Sequence, residues 1–183
     1  MPTYVALLRG VNVGGYKKIK MEQLRSSFEK LGFEDVRTYI QSGNVIFRTG
    51  DMSAAELRRR AEDKILSDFG FSPPVILRSA AELGKTLQNN PFTKHKGIEP
   101  AKLHVFFLSG APAKAAVQEL EGLQIGTAEL RCCGREIYLH TPDGFGRTKL
   151  PNFDKVLSVI TTARNWNTVS KLYELASGKG SPL

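Results

Sequence analysis

Val36-Arg-Thr-Tyr-Ile-Gln-Ser-Gly-Asn-Val-Ile-Phe-Arg48 is the stretch on which the fold turns. Two short runs rich in β-branched and aromatic residues, 36–41 and 45–48, flank Ser42-Gly43-Asn44. Glycine and asparagine tolerate positive φ, so these three residues predict a tight hairpin between two strands. A helix is predicted on each side of it. Upstream, Met21, Leu24, Phe28 and Leu31 recur at the spacing of an amphipathic helix that Gly32 can stop. Downstream, Ser53-Ala-Ala-Glu56 is a capping box, which satisfies orphan helix donors ahead of a Leu57, Ala61, Ile65, Leu66 stripe. Outermost come two apolar runs. Tyr4-Val-Ala-Leu-Leu-Arg9 is closed by Gly10, and Pro73-Pro-Val-Ile-Leu-Arg78 confines its prolines to the start, where no ladder donor is needed. The order β-α-β-β-α-β is that of a ferredoxin-like lobe, assigned to residues 1–88.

The pattern then partly repeats. Ser79-Ala-Ala-Glu82 opens a short helix ending near Asn89-Asn90-Pro91, and residues 89–101, with Lys94, His95 and Lys96, read as a basic connecting loop. In residues 102–183, Leu103-His-Val-Phe-Phe-Leu108 is a strand, 113–120 a helix, and 126–132 with 136–140 a hairpin turning at Gly134. Helices over about 152–159 and 167–176 follow, with a frayed tail from Gly178. No closing strand is read in this half. The expected fold class is α+β, a ferredoxin-like β-α-β-β-α-β lobe followed by a second, incomplete ferredoxin-like lobe with C-terminal helices.

A chain of 183 residues with 41% hydrophobic content can bury a sizeable core. Its net charge of +8 and pI near 9.6 favour anionic partners, whether nucleic acid, a phosphorylated small molecule or an acidic protein. No apolar run reaches the length of a membrane span. Met1-Pro2-Thr3 leads directly into a strand, so no signal peptide is read and a cytoplasmic location is expected. Adjacent Cys132 and Cys133 point to opposite faces of a strand and cannot readily bridge each other, which leaves two small hydrophobes in a reducing compartment.

Candidate functional residues follow from the topology. In this antiparallel order, the loop after the first strand and the hairpin between the second and third lie at the same end of the sheet. Arg9, Asn12, Gly14, Lys17 and Lys18 should therefore meet Gln41, Ser42 and Asn44. The loop precedes a helix, whose free N–H groups attract anions, and an anion is expected near the N–H groups of residues 13–17. A plainer alternative has Gly10, Gly14 and Gly15 serving turns, with Lys17, Lys18 and Lys20 on a solvated face; the spacing matches neither the dinucleotide fingerprint nor the P-loop. A third cluster, Thr162-Ala-Arg-Asn-Trp-Asn-Thr168, holds the chain's one tryptophan. Arg164 and Asn165 could bind an anionic ligand, or Trp166 and Arg164 could form a structural clasp, with Asn165 or Asn167 capping the last helix.

His95, His104 and His140 show no metal-ligand spacing, no nucleophile–base arrangement can be assembled, and no cofactor is implied. Catalytic residues are not visible.

Leu8-Arg-Gly-Val-Asn-Val-Gly-Gly15, Thr38-Tyr-Ile-Gln-Ser-Gly-Asn-Val45, Asn90-Pro-Phe92 and Thr162-Ala-Arg-Asn-Trp-Asn-Thr-Val169 together resemble the bacterial family designated domain of unknown function 1697, DUF1697. The likeness runs through nearly the whole chain in the same order. It implies a cytoplasmic α+β protein with ferredoxin-like lobes, and it carries over no activity and no catalytic residue. Two readings remain. One is a module binding a phosphate-bearing ligand, nucleic acid or nucleotide, through the basic Gly-rich loop; the other is an enzyme acting on a small anionic metabolite in a cleft between lobes. No membrane partner is expected, and the oligomeric state is not encoded in any visible motif.

Overall fold

The computed structural model describes residues 1–179. Its first half comprises β1 (Thr3–Leu8), α1 (Met21–Glu29), β2 (Glu34–Tyr39), β3 (Asn44–Arg48), α2 (Ala54–Phe69), β4 (Val75–Ser79) and α3 (Ala80–Gln88). The strands form one antiparallel sheet in the order β2-β3-β1-β4, the ferredoxin-like arrangement. Period-two alternation sends Ala6, Leu8, Val45, Phe47, Val75 and Leu77 into a core with Leu24 and Phe28 of α1 and Leu57, Ala61 and Ile65 of α2. Each of the larger side chains contributes roughly 1.5–3 kcal/mol on burial. Val5, Leu7 and Ile46, on the other face, are also fully buried, which is why these strands read as continuous apolar runs.

Both expected capping residues cap their helices, the second reciprocally. Ser53 Oγ accepts from the Glu56 N–H (3.2 Å), and Ser79 and Glu82 cap each other reciprocally, with Ser79 N–H donating to Glu82 Oε2 (2.8 Å). Two local expectations are corrected. Leu66 lies off the buried stripe of α2 and is half exposed. The β2–β3 connection is longer than a tight turn: Tyr39 pairs with Asn44, so residues 40–43 form the loop and Asn44 sits inside β3. Ile40 and Gly43, not the Gly-Asn pair, take the left-handed conformation.

The second half repeats the plan with β5 (Leu103–Leu108), α4 (Lys114–Glu121), β6 (Glu129–Cys133), β7 (Glu136–His140), α5 (Phe153–Leu157), β8 (Thr161–Asn165) and α6 (Trp166–Ser177). Its sheet order is β6-β7-β5-β8, equivalent to the first. The expectation of an incomplete second lobe is therefore corrected, because β8 closes it. No apolar run marks this strand, since Thr161, Thr162 and Arg164 are polar yet buried. Its counterpart in the first half, β4, carries Val75, Ile76 and Leu77 instead.

The described residues divide into two compact units, Met1–Gly84 together with residues 172–179, and Lys85–Lys171. Residues 89–101 fold within the second unit. Asn90 Oδ1 accepts from Phe92 N–H (2.9 Å) at the start of a 3-10 turn, Pro91–Lys94, and Phe92 is buried. Of the tail expected to fray from Gly178, residues 180–183 lie outside the described residues, while Gly178 N–H still donates to Glu174 O (3.0 Å). Among the described residues no helix is long and apolar enough to cross a membrane.

Candidate anion-binding groove

Where β1 ends, two hydrogen bonds fix the departing chain: Leu8 N–H donates to Gly43 O (2.9 Å) and Arg9 N–H to Pro74 O (3.0 Å). The second unit repeats both at the end of β5, with Leu108 N–H on Arg135 O (2.9 Å) and Ser109 N–H on Ile160 O (2.9 Å). Beyond this point the copies diverge. Residues 109–113 suffice to reach α4, whereas residues 9–20 precede α1. The fold thus needs only a short connection here, and the first unit carries an insertion.

That insertion is a miniature hairpin. Gly14 (φ +59°) and Gly15 (φ +80°) close a two-residue turn between Val13 and Tyr16, whose N–H donates to Val13 O (3.1 Å). Asn12 N–H donates to Lys17 O (3.2 Å), extending the stem. The Asn12 side chain clasps it: Nδ2 donates to Ile19 O (2.9 Å) and to Gln41 O (2.8 Å), and Oδ1 accepts from Ile19 N–H (2.8 Å). Val11 and Ile19, at the two roots, are buried in the core. The insertion and the β2–β3 loop therefore meet at one end of the sheet, tied directly through Asn12 and Gln41.

Between them opens a groove of about 630 Å³ lined by Asn12, Gly15, Lys18, Ile19, Lys20, Gln23 and Gln41. Lys20 precedes α1 without any side-chain cap, so the first-turn N–H groups of that helix are unserved by a capping side chain. Helix N-terminal partial charge and the Lys18 and Lys20 ammonium groups act in the same direction there. Glu22, exposed in the first turn, works against them. The helix starts at Met21, so its free donors lie beyond residues 13–17, and one donor of that stretch, Tyr16 N–H, is already engaged.

The other candidates resolve individually. Lys17 is exposed with φ +48°. Asn44 is fully buried and donates to Tyr39 O (3.0 Å) and Ser42 Oγ (3.1 Å), holding the loop. Arg9 is half-buried and its backbone is committed to the sheet. Gly43 packs its backbone on Val11 and Leu8 so closely that a Cβ would fall 2.4 Å from Val11 Cγ2. Ile40 is the surprise: a β-branched residue at φ +49°, nearly half exposed. Such a conformation costs on the order of 1–3 kcal/mol. Lys20, read from the sequence only as part of a solvated face, and Gln23, not singled out there, both line the groove; their three-residue spacing at an uncapped helix start is the available signal.

Arg164 and Asn165 belong to the second unit. Arg164 is 7% exposed, donates to Thr162 Oγ1 (2.9 Å) and Ala163 O (2.8 Å), and burial pulls its guanidinium down to about 10, still cationic at neutral pH. Arg78, at the matching place in β4, makes the same bond to its preceding carbonyl (2.9 Å). Asn165 Oδ1 accepts from Thr168 N–H (2.8 Å), capping α6, and Trp166 is 2% exposed. The cluster has the geometry of a clasp. Cys132 and Cys133 are free thiols; burial, aided by Glu121, pushes Cys132 up to about 11, which keeps it a protonated thiol at neutral pH. Among the described residues, no group of three or more His, Cys, Asp or Glu is placed to hold a metal ion.

The sequence profile of the family described as "Protein of unknown function (DUF1697)" matches residues 1–138, and so takes in the insertion, the β2–β3 loop and the start of the second lobe. The chain belongs to the DUF1697 family. Among solved structures, this DUF1697 protein is similar to a conserved bacterial protein, SP0830, from Streptococcus pneumoniae, with a TM-score of 0.77 and 26% identity over 96% of this chain and 98% of that one. No curated protein matches it.

Proposed function

We propose that this protein binds a phosphate-bearing ligand, nucleic acid or nucleotide, in the groove between the glycine hairpin and the β2–β3 loop. The observation that carries the reading is the insertion itself: the second unit makes the same β-to-α passage with residues 109–113, while residues 9–20 build a clasped hairpin, Lys18 and Lys20 beside an uncapped helix start. A structure the fold does without, held by three side-chain hydrogen bonds and next to a strained Ile40, is the profile of a recognition element. A volume of about 630 Å³ is of the size that holds a nucleotide-scale ligand. The net charge of +8 favours an anion, and the free Cys132 and Cys133 are in keeping with a reducing cytoplasm.

Thermal shift against nucleoside mono-, di- and triphosphates, inorganic phosphate and oligonucleotides tests this. Stabilisation should appear with at least one phosphate-bearing compound and fade in a Lys18→Ala, Lys20→Ala double variant whose own melting temperature is nearly unchanged. Equal stabilisation of parent and variant would place the anion elsewhere. Stabilisation by a small metabolite lacking phosphate, with none by nucleotides, would favour an enzyme of anionic metabolites instead.

A further inference from the structure

Resting on that reading, we propose that the ligand is a single-stranded nucleic acid and that Tyr16 is the platform on which one of its bases stacks. Tyr16 is 80% exposed, at the tip of the inserted hairpin, with Val13 at 65% and Ile40 at 47% on the same end of the sheet. Scattered exposed apolar residues need no explanation. Val13 and Tyr16 face each other across a turn that the second unit omits, and Ile40 lies in the loop tied to that turn's stem through Gln41.

The backbone that carries the ring is fixed. Gly14 and Gly15 close it in left-handed conformations, Tyr16 N–H is bonded to Val13 O, and the Asn12 side chain pins the stem to Ile19 and Gln41. The exposed ring thus stands on a preorganised backbone, which lowers the ordering cost of binding. Lys17, Lys18 and Lys20, all exposed, follow within the next four positions. An aromatic face among ammonium groups is what single-stranded binding asks for: a surface for any base and charge for the backbone that joins bases. The groove beside Gly15 adds the exposed amides of Gln23 and Gln41, which can donate to and accept from base edges. An anionic membrane would also attract the lysines, but interfacial binding draws on a broad apolar face, and the groove next to the tip is lined by the polar amides of Gln23 and Gln41.

Fluorescence anisotropy with a labelled oligothymidylate distinguishes the possibilities, with Tyr16→Ala, Tyr16→Phe and Lys18→Ala/Lys20→Ala variants first checked for unchanged melting. Tyr16→Ala should weaken binding about fivefold or more, and Tyr16→Phe should restore it, because stacking uses the ring and not the hydroxyl. The salt slope should stay the same in Tyr16→Ala and become shallower by about 1.4 in the double lysine variant, about 0.7 for each phosphate that is no longer neutralised. Parental affinity in Tyr16→Ala, with binding abolished in the lysine variant, would overturn the stacking proposal and leave anion binding standing. Absence of binding to the oligonucleotide and to every nucleotide and phosphate tried would overturn both. Tyr16-dependent binding to phosphatidylserine vesicles, without oligonucleotide binding, would make the tip a membrane anchor and overturn the proposal.

Discussion

Replacing Gly43 by alanine probes how tightly the β2–β3 loop is seated on the end of β1. Gly43 holds φ +74°, and a Cβ there would meet Val11 Cγ2 at 2.4 Å and Leu8 Cβ at 2.9 Å. Neither neighbour can retreat cheaply: both residues are buried, and Leu8 N–H is itself bonded to Gly43 O. Gly10 supplies the control, with φ +66° and nothing within 4 Å of its would-be Cβ. Alanine at Gly10 should cost only the left-handed conformation, about 1–2 kcal/mol. Alanine at Gly43 should add an overpacking cost of roughly 1–3 kcal/mol, for a total of about 2–5 kcal/mol by those same two terms. Urea melts followed by far-ultraviolet circular dichroism give the difference directly. Costs equal within about 0.5 kcal/mol, the spread of ordinary surface changes, would refute the close approach.

Trp166→Ala should cost roughly 3–5 kcal/mol through reduced burial and a cavity, since the side chain is 2% exposed; unchanged stability in a denaturant melt would show that the clasp is not one. His104, stacked 4.2 Å from Phe145, has its pKa lowered by burial, so the folded state favours neutral imidazole and the unfolded state binds the extra proton. Stability should therefore be complete above the ordinary value of 6.5 and fall as pH drops below it, and His104→Gln should flatten this part of a melting-temperature profile. Ile40→Asn should stabilise by up to about 1 kcal/mol, because asparagine accepts positive φ more readily; a lower melting temperature would mean that Ile40 is held by packing and not strained.

The first lobe was legible because each local signal agreed with the next: two capping boxes, alternating strands and helical stripes all pointed to β-α-β-β-α-β. β8 was not, since its buried positions are filled by Thr161, Thr162 and Arg164. A clue was present in the repeat, where Arg78-Ser79 and Arg164-Asn165 each put a buried arginine just ahead of a helix-capping residue. The meeting of the 9–18 loop with the 41–44 segment followed from topology alone. Which of its polar residues face solvent did not. Asn12 and Asn44 are of the residue types that grip ligands, but their side chains hold the loops together, a distinction made by φ and by three-dimensional partners. Lys18, by contrast, lines the groove and is exposed.

Amide-resolved nuclear magnetic resonance of the labelled protein, titrated with ATP and with an oligothymidylate, tests the assignment of the groove most directly. Shifts should concentrate on Asn12, Gly15, Lys18, Ile19, Lys20, Gln23 and Gln41, and spare residues 109–113, the insertion-free counterpart in the second unit. Saturating shifts confined to the second unit, or none anywhere with either titrant, would contradict it.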